Sequence, residues 1–152
     1  MLRTFSCVVA ALASAVIVTP AVSQSFTPSS GSASFSGWIT EFPVTCNLSG
    51  VAALGATTAT VSSKTLFPGN PQCGSAIIPY GAWSAAVIPG SWTTVTLTIG
   101  RQDILRRCYG SITAAWDDAT STASFVSAAL PASSGPPCVV TGEVVVPGVN
   151  IL

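Results

Sequence analysis

Two stretches of this chain repeat each other, and each is bounded by a pair of cysteines: Cys46 to Cys73 and Cys108 to Cys138. Six residues after its first cysteine the earlier copy reads Ala52-Ala53-Leu54, and the later copy reads Ala114-Ala115-Trp116. Ala56-Thr57 then answers to Ala119-Thr120, and Thr58-Ala59-Thr60-Val61 to Thr122-Ala123-Ser124-Phe125. Both copies close on Leu and Pro (Leu66 and Pro68; Leu130 and Pro131), with Pro71 or Pro137 just ahead of the last cysteine. A divergent duplication of this kind constrains the fold strongly, because each copy should form the same local unit.

The N-terminal residues set the redox context for those cysteines. Arg3 gives a positive start, Phe5 to Val18 an apolar run, and Ala21-Val22-Ser23 the small residues of a cleavage site, so residues 1–23 read as a secretory signal peptide. The run is shorter than the ~20 residues a spanning helix needs, and no later run is long enough, so no membrane span is expected after cleavage. Cys7 departs with the signal, which leaves an even set of four cysteines in an exported chain and three ways to pair them. The repeat selects Cys46 with Cys73 and Cys108 with Cys138, since each copy should close on itself. Zinc is disfavoured as the reason for four cysteines, because the chain has no C-x-x-C pair and no histidine.

Past the signal, Lys64, Arg101, Arg106 and Arg107 stand against Glu41, Asp103, Asp117, Asp118 and Glu143. Phosphate binding needs a dense basic face, so nucleic acid is excluded as a partner. Charged residues make up only 7% of the chain, where a soluble domain carries about a quarter. Its surface must be built of Ser, Thr, Gly and apolar atoms, which suits an extracellular β domain or a surface that meets a neighbouring subunit, a matrix or an oil interface.

Residues 24–32 are rich in Ser, Pro and Gly and read as a flexible lead-in to a β domain over 33–152. From Ala33 the pattern alternates, with Ala33, Phe35, Gly37 and Ile39 on one side and Ser34, Ser36, Trp38 and Thr40 on the other, as in a half-buried strand. Val44 to Ser49 follows as a strand, Gly50 to Gly55 as a turn, and Thr57 to Leu66 as a strand. Phe67 to Gln72 is a turn by composition, and Cys73 to Ile78 and Ala82 to Ile88 are short strands. Trp92 to Ile99 alternates most clearly, with Val95, Leu97 and Ile99 opposed to Thr94, Thr96 and Thr98. Arg101 to Arg107 reads as a strand edge or a single helical turn; Cys108 to Trp116, Thr120 to Ala129 and Cys138 to Val146 complete the strands, with a last edge at Val149 to Leu152. The class is all-β: a single-domain antiparallel sandwich or barrel of about nine short strands, built on two cystine-closed repeats.

Chemistry is sparse. Without histidine there is no Ser-His-Asp or Cys-His device. Asp117 and Asp118 are adjacent and read as turn residues, with a calcium loop disfavoured for want of further oxygen ligands. Glu41 and Glu143 remain as a carboxylate pair for glycoside hydrolysis, the weakest of the readings. Trp38, Trp83, Trp92 and Trp116 are candidates for apolar contact, with at least two of them expected in the core. Arg101, Arg106 and Arg107 are candidates for polar contact, against the plainer reading of a solvated edge with local ion pairs. No catalytic residue, metal or cofactor is expected.

Several of these residues also carry a resemblance. Phe26-Thr27-Pro28 and Val44-Thr45-Cys46, then Cys108-Tyr109-Gly110-Ser111-Ile112, Ala115-Trp116-Asp117-Asp118-Ala119-Thr120 and Cys138-Val139-Val140-Thr141-Gly142, with Pro147 and a final Ile151-Leu152, resemble the PraB family of secreted bacterial proteins described as activators of alkane oxidation. The resemblance spans the mature chain and brings no catalytic signature with it. It implies a non-enzymatic, surface-active helper at the cell exterior, linked to growth on hydrocarbons and to biofilm. The expected partners are hydrophobic material or cell-surface and matrix components, with self-assembly into a fibre as the alternative, in which the strand Ala33 to Ile39 completes a neighbour's sheet.

Overall fold

The computed structural model describes residues 23–67 and 69–152. The signal read over 1–23 therefore lies, up to residue 22, outside the described residues, as does Pro68 of the turn. The described residues form eleven strands in chain order: β1 (Phe26–Thr27), β2 (Gly31–Glu41), β3 (Val44–Leu54), β4 (Thr58–Phe67), β5 (Ile78–Pro79), β6 (Ser84–Val87), β7 (Thr94–Gln102), β8 (Arg107–Asp117), β9 (Thr122–Leu130), β10 (Cys138–Val145) and β11 (Asn150–Ile151). Nine of them make one antiparallel sheet in the order β5-β7-β6-β4-β3-β2-β10-β9-β8, and the pairing of β7 with β8 closes eight into a barrel with β5 outside the ring. Of the two architectures read from the sequence, the barrel is the one formed. Eight strands enclose a space that side chains can fill.

The fill follows the alternation. Phe35 and Ile39 of β2, Leu48 and Ala52 of β3, Val95, Leu97 and Ile99 of β7, and Ile112, Ala114 and Trp116 of β8 point inward, while the Thr and Ser between them face water. Two glycines make room for aromatic rings. Phe35 lies opposite Gly50, and Phe125 opposite Gly142, and a Cβ on either glycine would meet the facing ring. The ring covers the backbone that the glycine leaves bare. This is why β3 runs through Gly50 to Leu54, where the sequence had suggested a turn.

The repeat is structural. Leu54 pairs with Ala59 and Ala53 with Thr60; at the matching positions Trp116 pairs with Ala123 and Ala115 with Ser124. Both expected disulfides are formed, Cys46–Cys73 with Cα atoms 5.6 Å apart and Cys108–Cys138 at 6.1 Å. All four sulfurs are therefore spent on covalent bonds.

Three expectations are corrected. Residues 24–32 are not a flexible lead-in: Phe26 is buried and pairs with Ile151, Phe26 N–H donates to the Ala56 carbonyl (2.6 Å), and the Gln24 side-chain Oε1 accepts from Gly90 N–H (2.6 Å). Cys73 to Ile78 is mostly turn, because Cys73 is tied back to β3 and Gly74 adopts φ +78°, with backbone bonds closing the turn on Asn70 and Gln72. The stretch Ala33 to Ile39 is not a free edge strand within the chain, since β2 is paired with β3 on one side and β10 on the other.

The two ends of the barrel differ. At the base, the β1–β11 ribbon closes the interior with Phe26, Val149 and Ile151, and is fastened to the turns after β3, β6 and β8. At the other end, the mouth, stand the β2–β3 turn at Phe42 and Pro43, the β7–β8 turn over residues 103–106, and both disulfides.

Candidate functional site at the barrel mouth

β2 and β7 deliver Glu41 and Arg101 to the mouth on the inward side of the wall. Arg101 is only 8% exposed, and its guanidinium pairs with the carboxylates of both Glu41 and Asp103. Arg106 reaches the same Glu41 at 2.8 Å and donates to the Pro136 carbonyl at 3.0 Å. Asp103 shapes its own turn by accepting from the backbone N–H groups of Leu105 (2.7 Å) and Arg106 (2.9 Å). Burial raises the Asp103 pKa, but the hydrogen bonds from Arg101, Leu105 and Arg106 outweigh it and hold the carboxyl below its ordinary value of 3.8.

This short, polar turn carries an apolar tip. Ile104 is 88% exposed and Leu105 82%, and Phe42 on the β2–β3 turn is 91% exposed. All three border a cavity of about 290 Å³ that runs down past Leu66, Ile77 and Val140 to Ile39 and Trp83. Ile39 and Trp83 also line a second, interior cavity of about 80 Å³, whose lining has Ser84 as its one polar residue. Trp83 is held there by its indole N–H, which donates to the carbonyls of Gly100 (2.9 Å) and Tyr80 (3.0 Å).

The structure distributes the tryptophans unevenly. Trp83 and Trp116 are buried and line the interior cavity, so neither offers its ring to a partner outside the barrel. Trp38 points outward from β2, half-buried between Asn47 and Glu143, and Trp92 is exposed in the β6–β7 turn at the base. Among the arginines, Arg101 is a buried ion-pair partner and not a surface contact, while Arg107 is exposed, stacks over Tyr80 at 5.2 Å and bonds Gln102. The acidic turn is as expected: Asp117 accepts from Ala119 N–H and the Thr120 hydroxyl. Glu41 and Glu143 face opposite sides of the barrel wall, because Glu143 sits opposite the outward-pointing Trp38, so the two cannot flank one bond. Phe42, Ile104 and Leu105 escaped the sequence reading. Their signal was an apolar residue placed inside a segment of turn-forming and charged neighbours.

A family model described as alkane oxidation protein activator PraA/PraB-like matches residues 1–152. No curated protein and no solved structure matches the chain.

Proposed function

Because the chain belongs to the alkane oxidation protein activator PraA/PraB-like family, we propose that it is an exported, non-enzymatic protein whose barrel mouth makes contact with apolar material at the cell exterior. The observation that carries this reading is the exposure of Phe42, Ile104 and Leu105 together at one end of the molecule. Exposed large apolar side chains are ordinary when scattered, but a group of them beside a cavity with an aliphatic wall of Leu66, Ile77 and Val140 marks a surface that gains by leaving water. The charged groups just behind the tip are neutralised among themselves, so approach to an oil surface strands no lone charge. Two disulfides suit an oxidising exterior, which supports export. The opposed orientation of Glu41 and Glu143 speaks against the hydrolase alternative.

Adsorption to hexadecane droplets, and the emulsion they form, tests the reading. The parent protein is expected to coat droplets, and the triple variant Phe42→Ser, Ile104→Ser, Leu105→Ser to fall to the level of an inert secreted protein of similar size. Equal adsorption of parent and triple variant would overturn it.

A further inference from the structure

The outer wall of β7 and β8 carries a group of side chains that the mouth does not use. Their register sets Gln102 opposite Arg107, Gly100 opposite Tyr109 and Thr98 opposite Ser111, all on the outward side of the alternation. Tyr109 lies across Gly100 and Gly81, where a Cβ on either glycine would come within 2.6 Å of its ring. Its hydroxyl donates to the Ala82 carbonyl at 2.8 Å and Tyr80 meets it edge-on, so the ring is held in place, yet the residue stays 38% exposed. Arg107 stands one step along the strip, over Tyr80, with its Nε donating to Gln102 at 3.1 Å. Arg101 and Arg106 both meet carboxylates; Arg107 has no carboxylate partner among the described residues. We propose that this strip binds an anionic polysaccharide, a chain of uronic acid units, with Tyr109 as the stacking platform and Arg107 as the partner of a sugar carboxylate.

A sugar ring has a face of C–H groups and an edge of hydroxyls. The C–H face suits an aromatic ring that is already fixed, because little freedom is left to lose on binding. Charge complementarity selects an anion: the Arg107 guanidinium commits its Nε to Gln102 and keeps a planar pair of N–H groups, the fork that a carboxylate accepts in two parallel bonds. The hydroxyls of Thr98 and Ser111 come next on the strip, bonded to each other at 2.8 Å and still able to exchange hydrogen bonds with sugar hydroxyls. Arg107 to Ser111 covers about 13 Å of strand, so a linked chain spans the strip better than a single sugar. A protein partner is disfavoured because this strip shows no aliphatic side chain to bury, and one arginine is too little charge for nucleic acid. The strip lies on the outside of the wall, so the inference does not depend on the reading of the mouth.

Titration calorimetry of the purified protein with hexagalacturonate, its methyl ester and hexaglutamate tests the proposal. Hexagalacturonate should bind saturably; the ester, which keeps the sugar rings without the charge, and hexaglutamate, which keeps the charge without the rings, should each bind at least about tenfold more weakly, a ratio that corresponds to 1.4 kcal/mol. Arg107→Gln, a change at an exposed side chain, should weaken hexagalacturonate by a similar factor and bring its affinity down to that of the ester. Tyr109→Leu still covers Gly81 and Gly100 but removes the aromatic face, and should weaken both sugar chains. Amide shifts on adding hexagalacturonate should centre on Arg107, Tyr109 and Ser111. The proposal is overturned if hexagalacturonate gives no saturable heat, if the ester or hexaglutamate binds as tightly, if Arg107→Gln binds like the parent, or if the shifts centre on Phe42, Ile104 and Leu105 instead.

Discussion

Arg101 and Glu41 form an ion pair across the diameter of the barrel. In the ring β7-β6-β4-β3-β2-β10-β9-β8 their strands, β7 and β2, stand directly opposite, with three strands between them on either side. The pair is a strut that holds the mouth at a fixed width, and both ends are largely withdrawn from water. Removing one partner of such a pair is expected to cost about 3–5 kcal/mol, because a charge is left buried without its counterion. Arg101→Met should therefore lower the urea unfolding free energy by that amount. Adding Glu41→Leu should recover part of the loss, but not all, because Asp103 and Arg106 then lack their charged partners and keep only backbone hydrogen bonds. A single variant within about 0.5 kcal/mol of the parent would show that the strut contributes nothing.

Asp103 makes the mouth sensitive to acid. Its carboxyl is held below 3.8 by Arg101 and two backbone N–H groups against the opposing effect of burial. A carboxyl with a lowered native pKa adds stability that is complete above its unfolded-state value and is lost as pH falls through the native one. Unfolding free energies measured between about pH 5 and about pH 2 should fall for the parent, and fall less steeply for Asp103→Asn. Parallel slopes for the two proteins would remove Asp103 as a source of the acid loss.

The two bridges should be of similar worth, because they close loops of similar length, with separations of 27 and 30 residues, at matching places in the repeat. Replacing both cysteines of either pair by Ser is expected to cost about 2–5 kcal/mol. Differential scanning calorimetry of the two double variants checks this. A large loss for one and none for the other would mean that the two units are not energetically alike.

What the sequence made legible was local. Alternation placed Val95, Leu97 and Ile99 inward, and the repeat paired the cysteines, because both signals depend on residues close in the chain or on copies of one another. Closure of the ring was not legible, since it needs β10 to meet β2, two strands near opposite ends of the chain, in the register that sets Thr141 against Thr40 and Val145 against Ser36. The mouth was hidden for the same reason. Glu41 and Arg101 are far apart in sequence, and nothing in either segment announces that the other faces it across the barrel. Phe26 shows the opposite error: a Ser/Pro-rich neighbourhood suggested flexibility, while one buried aromatic and two backbone pairs with the C-terminal strand fix it.

Asp118 ties three parts of the base together. Its Oδ1 accepts from the indole N–H of Trp116 (2.5 Å) and from the backbone N–H of Ile151 on β11 (2.8 Å). Hydrogen bonds to an ionised group contribute about 1.5–3 kcal/mol each, and the two share one oxygen, so Asp118→Ala should cost about 2–3 kcal/mol. Asp118→Asn keeps the acceptor and should cost less. Hydrogen exchange at Ile151 separates this from a general loss of stability: its protection should fall in Asp118→Ala before that of β7 amides does. Equal loss at both sites would argue that Asp118 does not hold the ribbon in particular.

Phe125 and Gly142 set the last prediction. They face each other across β9 and β10, and a Cβ on Gly142 would lie 2.6 Å from the Phe125 ring and 2.6 Å from the Trp38 carbonyl oxygen. The ring can shift, but the carbonyl belongs to the β2 backbone and cannot shift without moving the strand. Overpacking of this kind costs about 1–3 kcal/mol, and contact with backbone puts Gly142→Ala toward the upper end of that range. Phe125→Leu made in the same chain relieves the ring contact alone, so the double variant should regain only part of the loss beyond the cost of Phe125→Leu itself. A double-mutant cycle from urea unfolding reads that coupling directly. If Gly142→Ala is as stable as the parent, β10 is free to move away from β2, and the tight seam between these two strands is not what fixes the barrel's closed form.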